Sequence, residues 1–286
     1  MRFGVREICN VVFKAKTARK IGTTTFAAGA PVLYFDSLKT STLEQAATTV
    51  YAQGGRGNTR LIAWEGEKTL TFTMEDALIS EMGLAILAGA HLYNADSTNN
   101  TLLVHTTETV SSGNSTSSLT ITGTATTDDG VKFYALELDS NGEVVGSPQE
   151  VTISTHTVNG TFKPNTVYLV DYYIEKTSDA YQVDIEPECL GGNFYIEADT
   201  LFRDTTGADH AAQFIIPNGK VQSNFTFTMA SSGDPSTFTF TVDAFPGYVN
   251  NDPTKKVLAS IQVLEDVYGT EDDSDAAGDK LDSISI

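Results

Sequence analysis

Thr and Phe alternate along residues 221–229 and again along 238–245. A period of two is that of a strand with one buried face. It sends Phe225, Phe227, Met229, Phe238, Phe240 and Val242 into a core and turns Gln222, Asn224, Thr226, Thr228, Thr239, Thr241 and Asp243 away from it. Residues 231–236 between them hold Gly233 and Pro235, the chemistry of a turn, so the pair reads as a hairpin. The same phrase stands far upstream, where Thr71, Thr73 and Glu75 alternate with Leu70, Phe72 and Met74. Three strands of one pattern predict a long-range sheet with a small, neutral, hydroxyl-rich outer face.

From residue 75 to 92 the period lengthens. Leu78, Met82, Ala85, Ile86 and Gly89 fall on one helical stripe, with Asp76 or Ser80 able to cap its start. This predicts one substantial helix laid across the sheet. Residues 37–61 carry few large apolar groups and include Gly54, Gly55 and Gly57, so they read as a long mobile loop returning into the sheet. Short strands are expected at 119–122, 131–138 and 150–155, and Asn141 with Gly142 signals a hairpin there. Further strand pairs are expected for 167–175 with 181–185 and for 194–196 with 200–203. Strand 257–264 closes the series, and residues 266–286 form an acidic tail expected to be mobile.

Charge sharpens this picture. The net charge is −19, unevenly placed: residues 1–70 hold ten basic against five acidic groups, leaving eight basic against 32 acidic groups in the rest. Such a chain is a poor duplex-binding module, since phosphate neutralisation needs Lys and Arg. Two cysteines, Cys9 and Cys189, with no CxxC and four scattered histidines, give neither a disulfide framework nor a metal site. No secretory leader or membrane-length apolar run is read, so the Asn-x-Ser/Thr sequons carry no weight.

Catalytic spacings are missing too: the chain has no GxSxG, HExxH, phosphate-binding loop or GxGxxG. Residues 139–143 resemble a calcium loop only superficially, because Gly142 falls too early and Gly146 with Pro148 suits no following helix. Glu137 with Asp139, and Asp184 with Glu186, are the acid pairs an acidic protein produces by chance. The expectation is a non-enzyme without cofactor or metal.

Residues 50–58, followed by 61–67 and 70–80, resemble the major tail tube proteins of contractile-tailed bacteriophages. Residues 202–217, 223–229 and 233–238 resemble the later half of the same family. The resemblance implies a mainly β protein, a β-sandwich or half-barrel with one flanking helix. Residues 1–100 and 165–265 would then be the two parts of the tube domain, and 101–164 a β-rich insertion, expected to face outward. It further implies homo-hexameric rings stacked into a tube, with sheath, baseplate and tape-measure proteins as partners and genomic DNA passing without specific binding. The compartment implied is the virion tail, assembled in the host cytoplasm.

In that scheme the loop 37–61 reaches the neighbouring ring through Tyr51, Gln53, Gly54, Gly55, Arg56, Gly57, Asn58 and Arg60. The lumen is lined by Thr71, Thr73, Glu75, Gln222, Asn224, Thr226, Thr228, Thr239, Thr241 and Asp243. An acidic excess suits a conduit that DNA must slide through. Two other readings share the enzyme-free profile. One is a head decoration or fibre protein; the other is a carbohydrate-binding β-sandwich, which needs an exposed aromatic platform.

Overall fold

A nine-stranded antiparallel sheet carries the first part of the molecule. Its main path runs Pro31–Phe35, Asn10–Ala15, Asn193–Asp204, Asp209–Val221, Phe238–Ala244, Thr59–Asp76, Leu38–Gly54. The two end strands of this path are consecutive in the chain, separated only by Asp36 and Ser37. A sheet whose ends are tied so closely must curl on itself, and the result is a half-barrel. The computed structural model describes residues 2–98, 100–128, 130–188, 191–227, 229, 231–232, 237–249 and 254–267.

Alternation fills the inside of the curl. Phe13, Phe72, Met74, Phe194, Ile196, Phe240 and Val242 are all buried to within 1% of full occlusion. Each such side chain contributes roughly 1.5–3 kcal/mol of burial free energy. The Phe35 and Phe240 rings, from opposite sides of the curl, meet edge to face at 4.9 Å. The Ser37 hydroxyl donates to Asp76 Oδ1 at 2.7 Å, pinning the connection between the end strands.

The helix Glu81–Ala88 adds Ile86 and Leu87 to this core. Ser80 caps its start by accepting from the Gly83 N–H at 3.0 Å. Gly89 ends it at φ 60°, the left-handed conformation a helix stop favours. The helical stripe therefore begins later than its periodicity implies. The preceding strand runs on to Asp76, and Leu78 is 70% exposed outside the helix.

Three other expectations change. Residues 37–61 are not a structureless loop: they are most of a long hairpin, Leu38–Gly54 with Thr59–Asp76. The expected hairpin 221–245 survives only at its base, where Gly219, Lys220 and Val221 pair with Ala244, Asp243 and Val242. Residues 223–227 leave the sheet, and Phe227 stacks its edge against Phe225 and Phe238. Residues 194–203 are one continuous strand, Asn193–Asp204, paired with Asp209–Val221. Residues 228 and 233–236 lie outside the described residues.

The chain divides into two compact units, Met1–Leu92 with Val183–Ile286, and Tyr93–Gln182. It passes from one to the other and back through the paired strands His91–Asn94 and Tyr181–Asp184. The second unit holds a six-stranded sheet in the order Ser118–Thr120, Thr157–Asn159, Val144–Ser154, Phe133–Leu138, Val167–Lys176, Leu102–Ser111. It is wider than the insertion 101–164 read from the sequence. Val167–Lys176 pairs with Leu102–Ser111 over ten residues instead of with 181–185, so it belongs here and not to the tube part expected from 165.

This unit has its own core, with Ile121, Val158, Val170 and Tyr172 almost wholly buried. Glu108 stitches it: its carboxylate accepts from the Thr122 N–H at 2.9 Å, the Thr122 hydroxyl at 3.1 Å and the Tyr172 hydroxyl at 3.1 Å. The turn after Phe133–Leu138 is the expected hairpin, with Gly142 at φ 83°. The Asp139 carboxylate accepts the N–H groups of Asn141 and Glu143, which uses it as a turn cap.

Candidate assembly surfaces

Beyond Leu70 the long hairpin has no core to rest on. From Ala46 to Lys68 nearly every residue on both strands is exposed. Val50 pairs with Trp64 and Ala52 with Ile62, which sets an apolar stripe on one face of the arm. Val50, Ile62 and Trp64 are 63%, 54% and 53% exposed, and Leu61 beside them is exposed too. Large apolar groups grouped on a solvated element mark a binding surface.

The tip is held in one shape. Gly55 and Gly57 take φ of 79° and 92°, and Asn58 takes 49°, so the turn uses the residues that tolerate this region. The Asn58 N–H donates to Gly55 O at 3.2 Å, and its side-chain amide donates to Gln53 Oε1 at 3.3 Å. Arg60 lays its guanidinium over the Tyr51 ring, 4.1 Å from the centroid. Tyr51, Gln53, Gly54, Gly55, Arg56, Gly57, Asn58 and Arg60 are thus brought together at one end of the arm. The apolar stripe went unread in the sequence, although Val50, Ile62 and Trp64 are visible there.

The second surface is the outer face of the half-barrel. Strand register builds three rows across it: Thr40, Glu75 and Thr239; Thr42, Thr73 and Thr241; Glu44, Thr71 and Asp243. Polar side chains this close on one face hydrogen-bond to the carboxylates of the rows. Thr40 donates to Glu75 Oε2 at 3.4 Å, Thr237 donates to Glu75 Oε1, and Gln222 donates to Asp243 Oδ2 at 3.0 Å. Lys220 stands opposite Asp243 on the same face. Asn224 and Thr226 are exposed but have left the sheet, so they do not continue the rows, and Thr228 lies outside the described residues. Thr40, Thr42 and Glu44 were missed because their strand reads as a loop.

Among the described residues, no group of three or more His, Cys, Asp or Glu side chains is placed to hold a metal ion. No helix there is long and apolar enough to cross a membrane.

A curled β-sheet with an exposed apolar arm and a hydrogen-bonded polar face defines a subunit built for association. The chain matches the YomU/Tube protein family over residues 19–261 and belongs to it. That membership makes it a phage tube-like structural protein, with a place in a tail assembly. No curated protein matches the chain.

Proposed function

We propose that this protein is the tail tube subunit of a contractile-tailed phage, forming homo-hexameric rings that stack into a DNA conduit. The observation that carries this reading is the arm Leu38–Gly54 with Thr59–Asp76, which exposes Val50, Ile62 and Trp64 beyond the core. Its own strands cannot cover that stripe, whereas a copy in the next ring can. The hydroxyl and carboxylate rows through Glu75, Thr73 and Thr71 face the lumen in this scheme. They offer DNA no cluster of cations to bind. The unit Tyr93–Gln182 lies on the outside of the tube, and sheath, baseplate and tape-measure proteins are the further partners.

Light scattering and electron microscopy over a concentration series test the reading. Rings and tubes are expected. A species that stays monomeric at high concentration, even with a seeding baseplate, would overturn it.

A further inference from the structure

The second unit turns one face of its six-stranded sheet to its own core and leaves the other accessible. Phe133, Ala135, Val170 and Tyr172 are buried in that core. The residues that alternate with them, Tyr134, Asp171 and Tyr173, therefore stand on the opposite face. Register carries a row of four across it, through Glu150, Tyr134, Asp171 and Thr107. One step along, Tyr173 stands opposite His105.

The side chains of this patch hold one another in place. His105 Nε2 lies 2.8 Å from Asp171 Oδ1, and the His105 ring meets the Tyr173 ring at 62°, with 5.4 Å between centroids. At the other end of the row Lys132 donates to Glu150 Oε2 at 3.1 Å. Tyr134 and Tyr173 are half-buried, while His105, Thr107, Lys132 and Glu150 are exposed. Each carboxylate of the patch thus has a basic side chain beside it, in a chain whose net charge is −19. A strongly charged ligand finds no uncompensated counter-charge here, whereas an uncharged polar one meets both donors and acceptors.

We infer that this face binds an uncharged glycan. A pyranose ring offers an apolar C–H face and a rim of hydroxyls, so it calls for aromatic side chains with polar groups beside them. Tyrosine supplies wide, stiff, amphipathic contact at low cost in conformational entropy. Tyr134 and Tyr173 lie diagonally across neighbouring strands, about 7–8 Å apart at the backbone. Two linked sugar rings can cover both. Among the described residues His105 engages only Oδ1 of Asp171, which leaves Oδ2 to accept from a sugar hydroxyl. Hydrogen bonds to a carboxylate are stronger than those between neutral groups. The Thr107 hydroxyl stands next to it in the row.

This inference concerns the second unit alone and does not rest on the tube reading. The test takes the full chain and probes it with maltotetraose, cellotetraose and chitotetraose by saturation-transfer NMR and calorimetry, with heparin as a polyanionic control. At least one neutral sugar is expected to bind. Tyr134→Ala and Tyr173→Ala should each weaken that binding by about tenfold or more, the scale of losing an aromatic anchor. Asp171→Asn keeps the shape of the side chain and should weaken it too, with tube formation unchanged; it carries the test if a tyrosine variant fails to fold. Binding undiminished in these variants, binding of none of the three sugars, or binding of heparin alone would overturn the proposal and leave the tube reading standing. Variants that change the oligomeric state while no sugar binds would make the face a protein interface and overturn it equally. An unsubstituted chain that binds sugar but forms no tubes would overturn the tube reading and leave this one.

Discussion

The backbone N–H of Cys9 donates to the hydroxyl of Ser41 at 3.2 Å. Cys9 leads into Asn10–Ala15, near one end of the sheet path, and Ser41 sits in Leu38–Gly54 at the other. The bond therefore spans the seam of the curl. Burial pushes the Cys9 thiol up, an effect that the hydroxyls of Ser41 and Thr200 only partly offset. Ser41→Ala should cost about 1–3 kcal/mol by leaving the N–H unpaired, measured by chemical denaturation. Cys9 should resist alkylation in the folded protein and react faster in that variant. Equal labelling rates would show that the seam does not depend on this bond.

The arm should be dispensable for folding and required for stacking. Trp64→Ser with Ile62→Ser removes exposed surface, so subunit stability should move by no more than about 0.5 kcal/mol per site. Deleting 53–58 should likewise leave a folded subunit. Both variants should fail to form long tubes in electron micrographs, and tubes of normal length would remove the arm from the interface between rings.

Lys at Thr239 and Thr241 tests the polar face. Both side chains point away from the core, so the fold and the tubes should survive. Cations there should hold phosphate, slowing DNA ejection in a way that added salt relieves. Unchanged ejection kinetics would put this face elsewhere than the lumen.

Gly219 is packed where no side chain fits. A Cβ there would stand 2.6 Å from a Val242 methyl and 2.8 Å from Ile196 Cδ1. Gly219→Ala should destabilise the half-barrel by about 1–3 kcal/mol, the cost of overpacking a core. A denaturant midpoint unchanged from the parent would show that the seam of strands relaxes freely.

Acid should loosen both units. The Thr206 hydroxyl and neighbouring N–H groups hold the Asp204 carboxyl far below the usual carboxylate range, and Arg203 lowers Asp209. Partial burial opposes the shift at Glu108, but hydrogen bonds from Thr122 and Tyr172 still hold it low. A depressed folded-state pKa gives stability that is present above the unfolded value, about 4, and is lost as pH falls through the folded values. Asp199, raised by burial, works in the opposite sense. Asp204→Asn should therefore lose stability at neutral pH and show a flatter acid limb in pH-dependent denaturation. A limb as steep as the parent's would clear Asp204 of that role.

The excursion Tyr93–Gln182 should be removable. The Ala95 N–H donates to Ala180 O at 2.8 Å, so a short Asn-Gly turn can replace residues 96–179. Tube assembly should persist in such a chain. Failure to fold with several turn lengths would make this unit part of the first unit's stability.

What the sequence made legible was whatever packs on a core. Residues 70–76 and 238–243 share a Thr-Phe alternation, and they lie side by side in register. Ser80 was a readable cap. The arm was illegible for a physical reason: beyond Leu70 both faces of its strands are solvated, so the alternation that marks a half-buried strand has nothing to record. Residues 223–227 failed in the opposite way. Their alternation is real, and Phe225 does pack against the half-barrel core, but from a segment that has left the sheet, while Phe227 stays half exposed with its ring against Phe225 and Phe238. The pairing of Leu102–Ser111 with Val167–Lys176 spans a long sequence separation, which no local pattern encodes. The polar rows were half visible, since only two of their three strands were recognised.

The joining of the sheet's end strands through Asp36 and Ser37 also sets a clock. The long arm is a local hairpin that can form as soon as Asp76 has been synthesised. The wall it belongs to is not complete until Phe238–Ala244 arrives to pair with Thr59–Asp76. Asn10–Ala15 likewise waits for Asn193–Asp204. Contacts this distant in sequence form slowly and late. A nascent chain therefore carries its sticky arm long before it has a body, and it becomes a building block only when nearly all of it has left the ribosome.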